Sequence, residues 1–374
     1  MRRAVLPLAA ALVSALSCTT QFEGPQTITG LRVLGVRAEP PEIGALADAA
    51  GTGWPADHAT IQSLVGLPAF AEDGAEDAVV LHLGCTPAPG EVGGTACTQM
   101  SALGDPSQFL PFLVPETACT DPGLGAVDGI TFSGLEACSR LGCGPLSVLR
   151  DPADPTSAVT LASPSYALPQ GFALSGLPPG DPDRVLGTDV VDLALALEAA
   201  PGDVAPTSAV PDDCTALFAV LERIEEEWPT RANLTSLKWL HVRGPDMPSA
   251  SPPNQNPSLS GITLGGAPLP EPGGVPLAVA AGQQEPLLPS LPAPFDDLRE
   301  TYERFDSGGN YLDTRVEDWA YSWFTTGGDL ADPYTSSWDE TNPFTPASGR
   351  AVLWLVVRDL RGGVAFTAGE VLAP

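Results

Sequence analysis

The chain has 374 residues and a formal net charge of −29 at pH 7, with 46 acidic residues against 17 basic ones. Nucleic-acid phosphates are bound by clustered lysine and arginine. This sequence has a single lysine, Lys238, so we expect no nucleic-acid partner. The acidity is explained by solvation and self-repulsion, which keep a protein soluble.

The N-terminal segment predicts export. Arg2 and Arg3 precede an apolar stretch, Ala4 to Leu16, that is too short to span a bilayer, and the small Ser17 comes before Cys18. The pattern resembles a bacterial lipoprotein signal at residues 1–17, which implies lipid on Cys18 and a tether at residues 18–27. Thr19, rather than aspartate, favours the outer membrane, with periplasmic or surface exposure left open. An ordinary secretory signal, cut elsewhere, is the alternative.

Six cysteines follow Cys18, an even number that suits three disulfides in an oxidising compartment. The sequence leaves their connectivity open. Zinc ligation is the alternative, but the cysteine spacings are irregular and the histidines are scattered. The disulfide candidates are Cys85, Cys97, Cys119, Cys138, Cys143 and Cys214.

The 41 prolines and 39 glycines punctuate the whole chain, so short strands are expected rather than long helices. We predict an all-β fold whose first β-sandwich domain covers residues 28–245. Between about 85 and 145 the periodicity disappears, which predicts an irregular, disulfide-rich insertion. The predicted strands are Ile28–Ala38, Thr60–Val65, Ala78–Cys85, Asp189–Ala199 and Leu234–Arg243.

One amphipathic helix is predicted between Pro211 and Pro229. Asp212 or Asp213 would cap its start, and its apolar face contains Cys214, Leu217, Leu221, Ile224 and Trp228. Because Cys214 falls on this face, we predict a disulfide from it to the Cys85–Cys143 segment.

Residues 246–258 have the composition of a linker, and a second sandwich is predicted at 259–374. Asn254 and Asn256 fit a turn that anchors this linker. In the turn Arg358–Gly363, Gly362 and Gly363 permit positive φ, and Asp359 can fold its carboxylate onto the backbone. The predicted strands are Leu259–Leu264, Val275–Ala280, Val316–Phe324, Ala351–Arg358 and Gly363–Thr367.

Three aromatic residues, Trp319, Tyr321 and Trp323, share one face of a predicted strand. Such a row is usually part of a core. The alternative is an exposed ladder that stacks on sugars.

Signals for catalysis and metal binding are weak. The sequence contains no nucleophile elbow, zinc-protease helix, P-loop or dinucleotide fingerprint, so we expect no enzyme and no cofactor. A hydrolase with two carboxylates leaves no local pattern and stays a third possibility. A partial resemblance to a calcium loop involves Asp306, Asn310, Asp313 and Glu317, although a solvated acidic loop is the stronger interpretation.

Four segments carry a family resemblance that brackets residues 28–367. They are Gly30–Glu42, Asn254–Gly261, Tyr321–Gly327 and Val356–Gly363. They resemble uncharacterised myxobacterial-type envelope lipoproteins with Ig-like domains. The resemblance implies two Ig-like β-sandwiches in tandem and brings no catalytic residue. The expected role is a lipid-anchored binding or assembly module with an envelope protein or a glycan as partner.

Overall fold

The computed structural model describes residues 26–44, 57–71, 78–85, 130–151, 154–168, 185–193, 220–221, 224, 232–243, 252–305 and 310–374. The predicted signal, Cys18, and three of the disulfide candidates, Cys97, Cys119 and Cys214, lie outside these residues. Over the described ranges, no helix is both long enough and apolar enough to cross a membrane.

The described chain is mostly β-strand, which confirms the all-β class. In the N-terminal part, β1, β3 and β9 form one sheet, and a second sheet has the order β2-β11-β10-β4-β5-β6, while β7 pairs with β8. A short 3-10 helix covers Pro68–Ala71. The strands are β1 (Arg32–Glu39), β2 (Glu42–Gly44), β3 (His58–Gly66), β4 (Ala78–Cys85), β5 (Ile130–Ser139), β6 (Gly142–Pro145), β7 (Ser147–Asp151), β8 (Asp154–Thr160), β9 (Ser165–Ala167), β10 (Val185–Leu193) and β11 (Asn233–Arg243).

Strands β5 and β6 lie inside the range predicted as an irregular insertion. The prediction is therefore wrong for the residues of these two strands. β5 pairs with β4 along its length, and Cys138 faces Cys143 across the β5–β6 pair, where the two form a disulfide. The alternation was hidden because β5 carries a buried Glu136 and a bulge opposite His82 and Leu83.

The C-terminal part is a β-sandwich of two five-stranded sheets. Their orders are β13-β12-β15-β21-β19 and β14-β23-β22-β18-β20, and β16 pairs with β17 beside them. A helical turn covers Phe295–Leu298. The strands are β12 (Gly261–Leu264), β13 (Ala267–Pro268), β14 (Leu277–Ala278), β15 (Glu285–Ser290), β16 (Thr301–Phe305), β17 (Tyr311–Val316), β18 (Ala320–Thr325), β19 (Asp329–Leu330), β20 (Tyr334–Thr335), β21 (Asn342–Thr345), β22 (Gly349–Arg358) and β23 (Val364–Ala373).

Strand β22 belongs to two cores at once. Its residues from Ala351 to Val357 are all buried. Leu353 and Leu355 pack inside the C-terminal sandwich, whereas Trp354 and Val356 pack with residues of β1, β3 and β11. The N-terminal and C-terminal parts therefore meet through a continuous apolar surface, which we call the joint.

Only a fragment of the predicted amphipathic helix is described. Val220, Leu221 and Ile224 are helical, and all three side chains are buried. Leu221 and Ile224 were predicted on the apolar face. The rest of the predicted helix, including Cys214, lies outside the described residues.

Candidate functional site

The turn between β22 and β23 has the predicted contact between the Asp359 carboxylate and the backbone, but only one of its two predicted positive φ angles. Asp359 Oδ1 accepts hydrogen bonds from the backbone N–H groups of Arg361 at 2.7 Å and Gly363 at 2.9 Å. Gly362 has a φ of 109°, and Leu360, rather than Gly363, takes the second positive φ, at 62°. The buried carboxylate of Asp359 thus orders the turn that forms one side of the joint.

Two asparagines fasten the N-terminal part to this turn. Asn254 Nδ2 donates to Asp359 Oδ2 at 2.8 Å, and its backbone N–H donates to Glu42 Oε2 at 2.8 Å. Asn256 Nδ2 donates to the carbonyl oxygen of Ala38 at 2.7 Å, and Asn256 Oδ1 accepts from the N–H of Val364 at 2.8 Å. This end of the predicted linker is anchored at both parts.

A cavity of about 290 Å³ opens at the joint. Strand β1 contributes Val33 to Val36, β11 contributes Ser236 to Trp239 together with His241, and the β22–β23 hairpin supplies Arg358, Leu360 and Gly362 to Val364. Trp239 is 44% exposed and Leu360 is 70% exposed, so two large apolar side chains border the opening. The cavity combines apolar walls with a few polar groups at an interface between two parts, as ligand sites commonly do.

Basic side chains line this cavity. Lys238 Nζ donates to the carbonyl oxygen of Gly362, and burial lowers the pKa of Lys238 to about 8 against the attraction of Asp359. Burial likewise lowers the pKa of Arg358, whose guanidinium donates to Leu34 O at 2.9 Å and Ser322 Oγ at 3.1 Å. Burial also lowers the pKa of His241, although Glu42 opposes the shift, so this imidazole is neutral at pH 7.

Several other described arginines are bonded to carboxylates. Arg361 Nη1 lies 2.7 Å from Glu317 and 3.1 Å from Glu300, and Arg243 lies 3.4 Å from Glu42. Within the described ranges, Lys238 and Arg358 instead bond to neutral oxygens. Among the described residues, these two cations of the cavity have no carboxylate in hydrogen-bonding distance. Sequence reasoning missed this site, because cation pairing depends on contacts distant in the chain.

No family model matches this chain, and no curated protein matches it significantly.

The predicted aromatic row is part of the core. Trp319 is 4% exposed, and Tyr321 and Trp323 are both 0% exposed, within the C-terminal sandwich. Trp323 Nε1 donates to Thr335 Oγ1 at 3.0 Å. This face of the strand points toward the opposite sheet. The alternative interpretation, an exposed ladder that stacks on sugars, is therefore wrong.

The described residues of the suggested calcium loop do not come together around one point. Asp306 lies outside the described residues, and Asn310 is exposed. Asp313 accepts from Arg304 at 2.7 Å and from Arg315 at 3.1 Å, while Glu317 is bonded to Arg361. Among the described side chains, no group of three or more His, Cys, Asp or Glu is placed to hold a metal ion.

A buried serine, histidine and glutamate lie in contact in the N-terminal core. Ser63 Oγ is 3.3 Å from His82 Nε2, and Glu136 Oε2 is 3.0 Å from the same nitrogen. A catalytic relay uses the two different imidazole nitrogens for nucleophile and carboxylate. All three side chains are also buried, so the arrangement functions as a polar core network, in which Glu136 also accepts from Ser63 N.

Two of the six disulfide candidates are joined to each other, Cys138 and Cys143. Cys85 is disulfide-bonded as well. The predicted bridge from Cys214 stays a prediction.

Proposed function

We propose that this protein is a lipid-anchored envelope protein that acts as a non-catalytic binding module, with the cavity at the joint as its binding site. The observation that carries the proposal is the pair of partly buried cations, Lys238 and Arg358, which bond only to neutral oxygens within the described ranges. Removing a cation from water without an anionic partner is costly. An anion bound beside these two side chains would offset that cost.

The membrane anchor rests on the sequence around Cys18. Metabolic labelling with a fatty acid tests it directly. Full-length protein should incorporate the label and fractionate with the outer membrane, whereas Cys18→Ala should do neither. Label on the Cys18→Ala variant would contradict the anchor.

The domain assignment is also part of the proposal. The C-terminal part has two sheets of mainly antiparallel strands that enclose a common core, which supports an Ig-like sandwich. The N-terminal part is proposed as a second, more divergent sandwich. Its disulfide-rich insertion would lie between β4 and β5, a shorter range than the sequence indicated.

The binding function is tested with a matched pair of small ligands, octanoate and octanol. The mature chain, residues 18–374 with Cys18→Ala, is exported through an ordinary secretory signal and titrated calorimetrically with each ligand. We expect saturable binding of at least one ligand. Trp239→Ala should weaken binding because Trp239 borders the cavity, whereas Trp338→Ala, which removes a tryptophan with a similar exposure of 40% outside the cavity lining, should not. Absence of binding, or equal effects of both variants, would overturn the cavity as the binding site.

The assembly role that the sequence leaves open is tested by crosslinking intact cells. Tagged full-length protein and its Cys18→Ala variant are purified, and the co-purifying proteins are identified. Defined envelope proteins recovered only with the lipidated form would add an assembly role to the binding function. Recovery of nothing specific would remove that role and leave the cavity as the functional site.

A further inference from the structure

We propose that the cavity at the joint binds a small organic monoanion, a carboxylate with a compact apolar body. Lys238 binds the carboxylate, and the apolar body lies against Trp239 and Leu360. This inference rests on the proposed function and names the class of its ligand.

The charges around the cavity favour a single negative charge. Lys238 and Arg358 are the cations of its lining. Asp359 is the carboxylate that acts on Lys238, and its oxygens are occupied by the N–H groups of Arg361, Gly363 and Asn254. Lys238, Arg358 and Asp359 together carry one net positive charge. A monoanion neutralises that charge, whereas a dianion such as phosphate monoester would bring an excess negative charge into a buried site.

The neighbouring charged groups of the joint are paired within the protein. Glu42, which faces His241, is paired with Arg243. Arg361, which also faces His241, contacts two carboxylates, Glu300 and Glu317, so these three groups carry one net negative charge. The charges that act on Lys238 are those of Asp359 and Arg358, so the three groups around the ammonium group carry one net positive charge.

Hydrogen-bond donors for a carboxylate are present. An ammonium group has three N–H donors. One N–H of Lys238 donates to the carbonyl oxygen of Gly362. The bond fixes the ammonium group beside the turn, so the lysine side chain reaches from β11 across to the hairpin. A carboxylate that enters the cavity meets a donor already in position, which lowers the entropic cost of binding.

The walls and size of the cavity define the rest of the ligand. Val33, Val36 and Val364 line it, together with Trp239 and Leu360 at its edge. Its volume of about 290 Å³ is just below the range of small-molecule sites, which span roughly 300–1,000 Å³. A short acyl or aryl acid fits this space, whereas a folded protein segment does not.

Calorimetric titration of the Cys18→Ala mature chain with octanoate and octanol tests the inference. Octanoate should bind about tenfold more tightly than octanol at pH 7, as expected for one charge-assisted hydrogen bond. Lys238→Met should abolish this preference and leave octanol binding unchanged. Lys238→Arg, which keeps the charge, should retain part of the preference.

The pH dependence supplies a second measurement on the unaltered site. The pKa of Lys238 is about 8, so its ammonium group is charged below that pH and loses its proton above it. The preference for octanoate should therefore be constant from pH 6 to about pH 7 and decrease as the pH rises through about 8. Octanol binding should not change over the same interval. This profile is informative even if Lys238→Met fails to fold.

The outcomes separate the two proposals. Equal binding of octanol and octanoate would overturn the anionic ligand while leaving the binding module intact. Binding of neither would overturn both. An octanoate preference that is unchanged in Lys238→Met and unaffected by pH would overturn the role of Lys238.

Discussion

A lysine that lies largely out of water opposes folding while it is charged. Burial lowers the pKa of Lys238 from 10.5 to about 8. The penalty is therefore present in full below about pH 8 and disappears as the pH rises toward 10.5. At neutral pH the charge of Lys238 therefore lowers the stability of the fold.

We predict that Lys238→Met stabilises the protein at pH 7. The gain should be roughly 1–3 kcal/mol, because one pKa unit corresponds to about 1.4 kcal/mol and the lost bond to Gly362 offsets part of the shift. Urea unfolding at pH 7 and at pH 10 measures it, and the gain should be smaller at pH 10. A destabilised variant at both pH values would mean that Lys238 is mainly structural.

Gly362 is required by both its backbone conformation and its neighbour. Its φ is 109°, and a Cβ at this position would lie 2.6 Å from Cδ2 of His241. Gly362→Ala should lower the free energy of unfolding by about 2 kcal/mol or more. Gly349→Ala is the matched control, since Gly349 has a φ of 106° and open space around its Cα. Equal losses in both variants would show that the contact with His241 contributes nothing.

For individual residues, the sequence predicts contacts between positions that are close in the chain. Asp359 was expected to accept from its own turn, and it does, because such bonds depend on residues a few positions apart. The basic lining of the cavity could not be predicted, because Lys238 and Arg358 lie 120 positions apart and meet only through the joint. The burial of Trp319, Tyr321 and Trp323 was the expected outcome for a row of this kind.

Strand β22 is the element that connects the two cores. Its continuous apolar run from Ala351 to Val357 is typical of a strand buried on both faces. In a strand with one solvent-exposed face, apolar and polar residues alternate. Pairing with β18 and β23 on its two edges completes its burial.

We predict that Trp354→Ala destabilises the joint by about 3–5 kcal/mol, because it removes a large buried side chain from the face that packs on the N-terminal part. Calorimetric unfolding should show a lower melting temperature. Tyr334→Ala, on the exposed surface, should change the stability by less than about 0.5 kcal/mol. A loss below 1 kcal/mol for Trp354→Ala, on the order of a surface substitution, would contradict a shared core.

The disulfide between Cys138 and Cys143 narrows the pairing of the other cysteines. If Cys85, Cys97, Cys119 and Cys214 form two further bridges, Cys214 must pair with a cysteine between β4 and β5 or at the end of β4. We predict that non-reducing peptide mapping recovers Cys214 in such a bridge. Recovery of Cys214 as a free thiol would remove the link between the predicted helix and the insertion.

Among the elements, regular strands were predicted best. Ala78–Cys85 is strand β4 with the predicted bounds, and Leu234–Arg243 differs from β11 by one residue. β5 and β6 were missed because a buried glutamate and a bulge interrupt the apolar alternation. Short pairs such as β13 and β19 carry too few residues for any period to be recognised.

The whole molecule is organised around the joint. Composition predicted two domains and a linker, but composition does not report which faces of the two domains meet. The structure places Asn254 and Asn256 between them as a fixed connection and creates a cavity that neither part has alone. The two parts supply different chemistry to this cavity, as is common for binding sites at interfaces. The N-terminal part supplies apolar walls and Lys238, and the C-terminal part supplies Arg358 and an ordered turn.

The most direct test is a crystal structure of the Cys18→Ala mature chain soaked with octanoate. The account predicts one ordered ligand in the cavity at the joint, with its carboxylate in hydrogen-bonding distance of Lys238 Nζ and its chain against Trp239 and Leu360. An empty cavity at a saturating octanoate concentration, or octanoate bound only elsewhere on the protein, would contradict it.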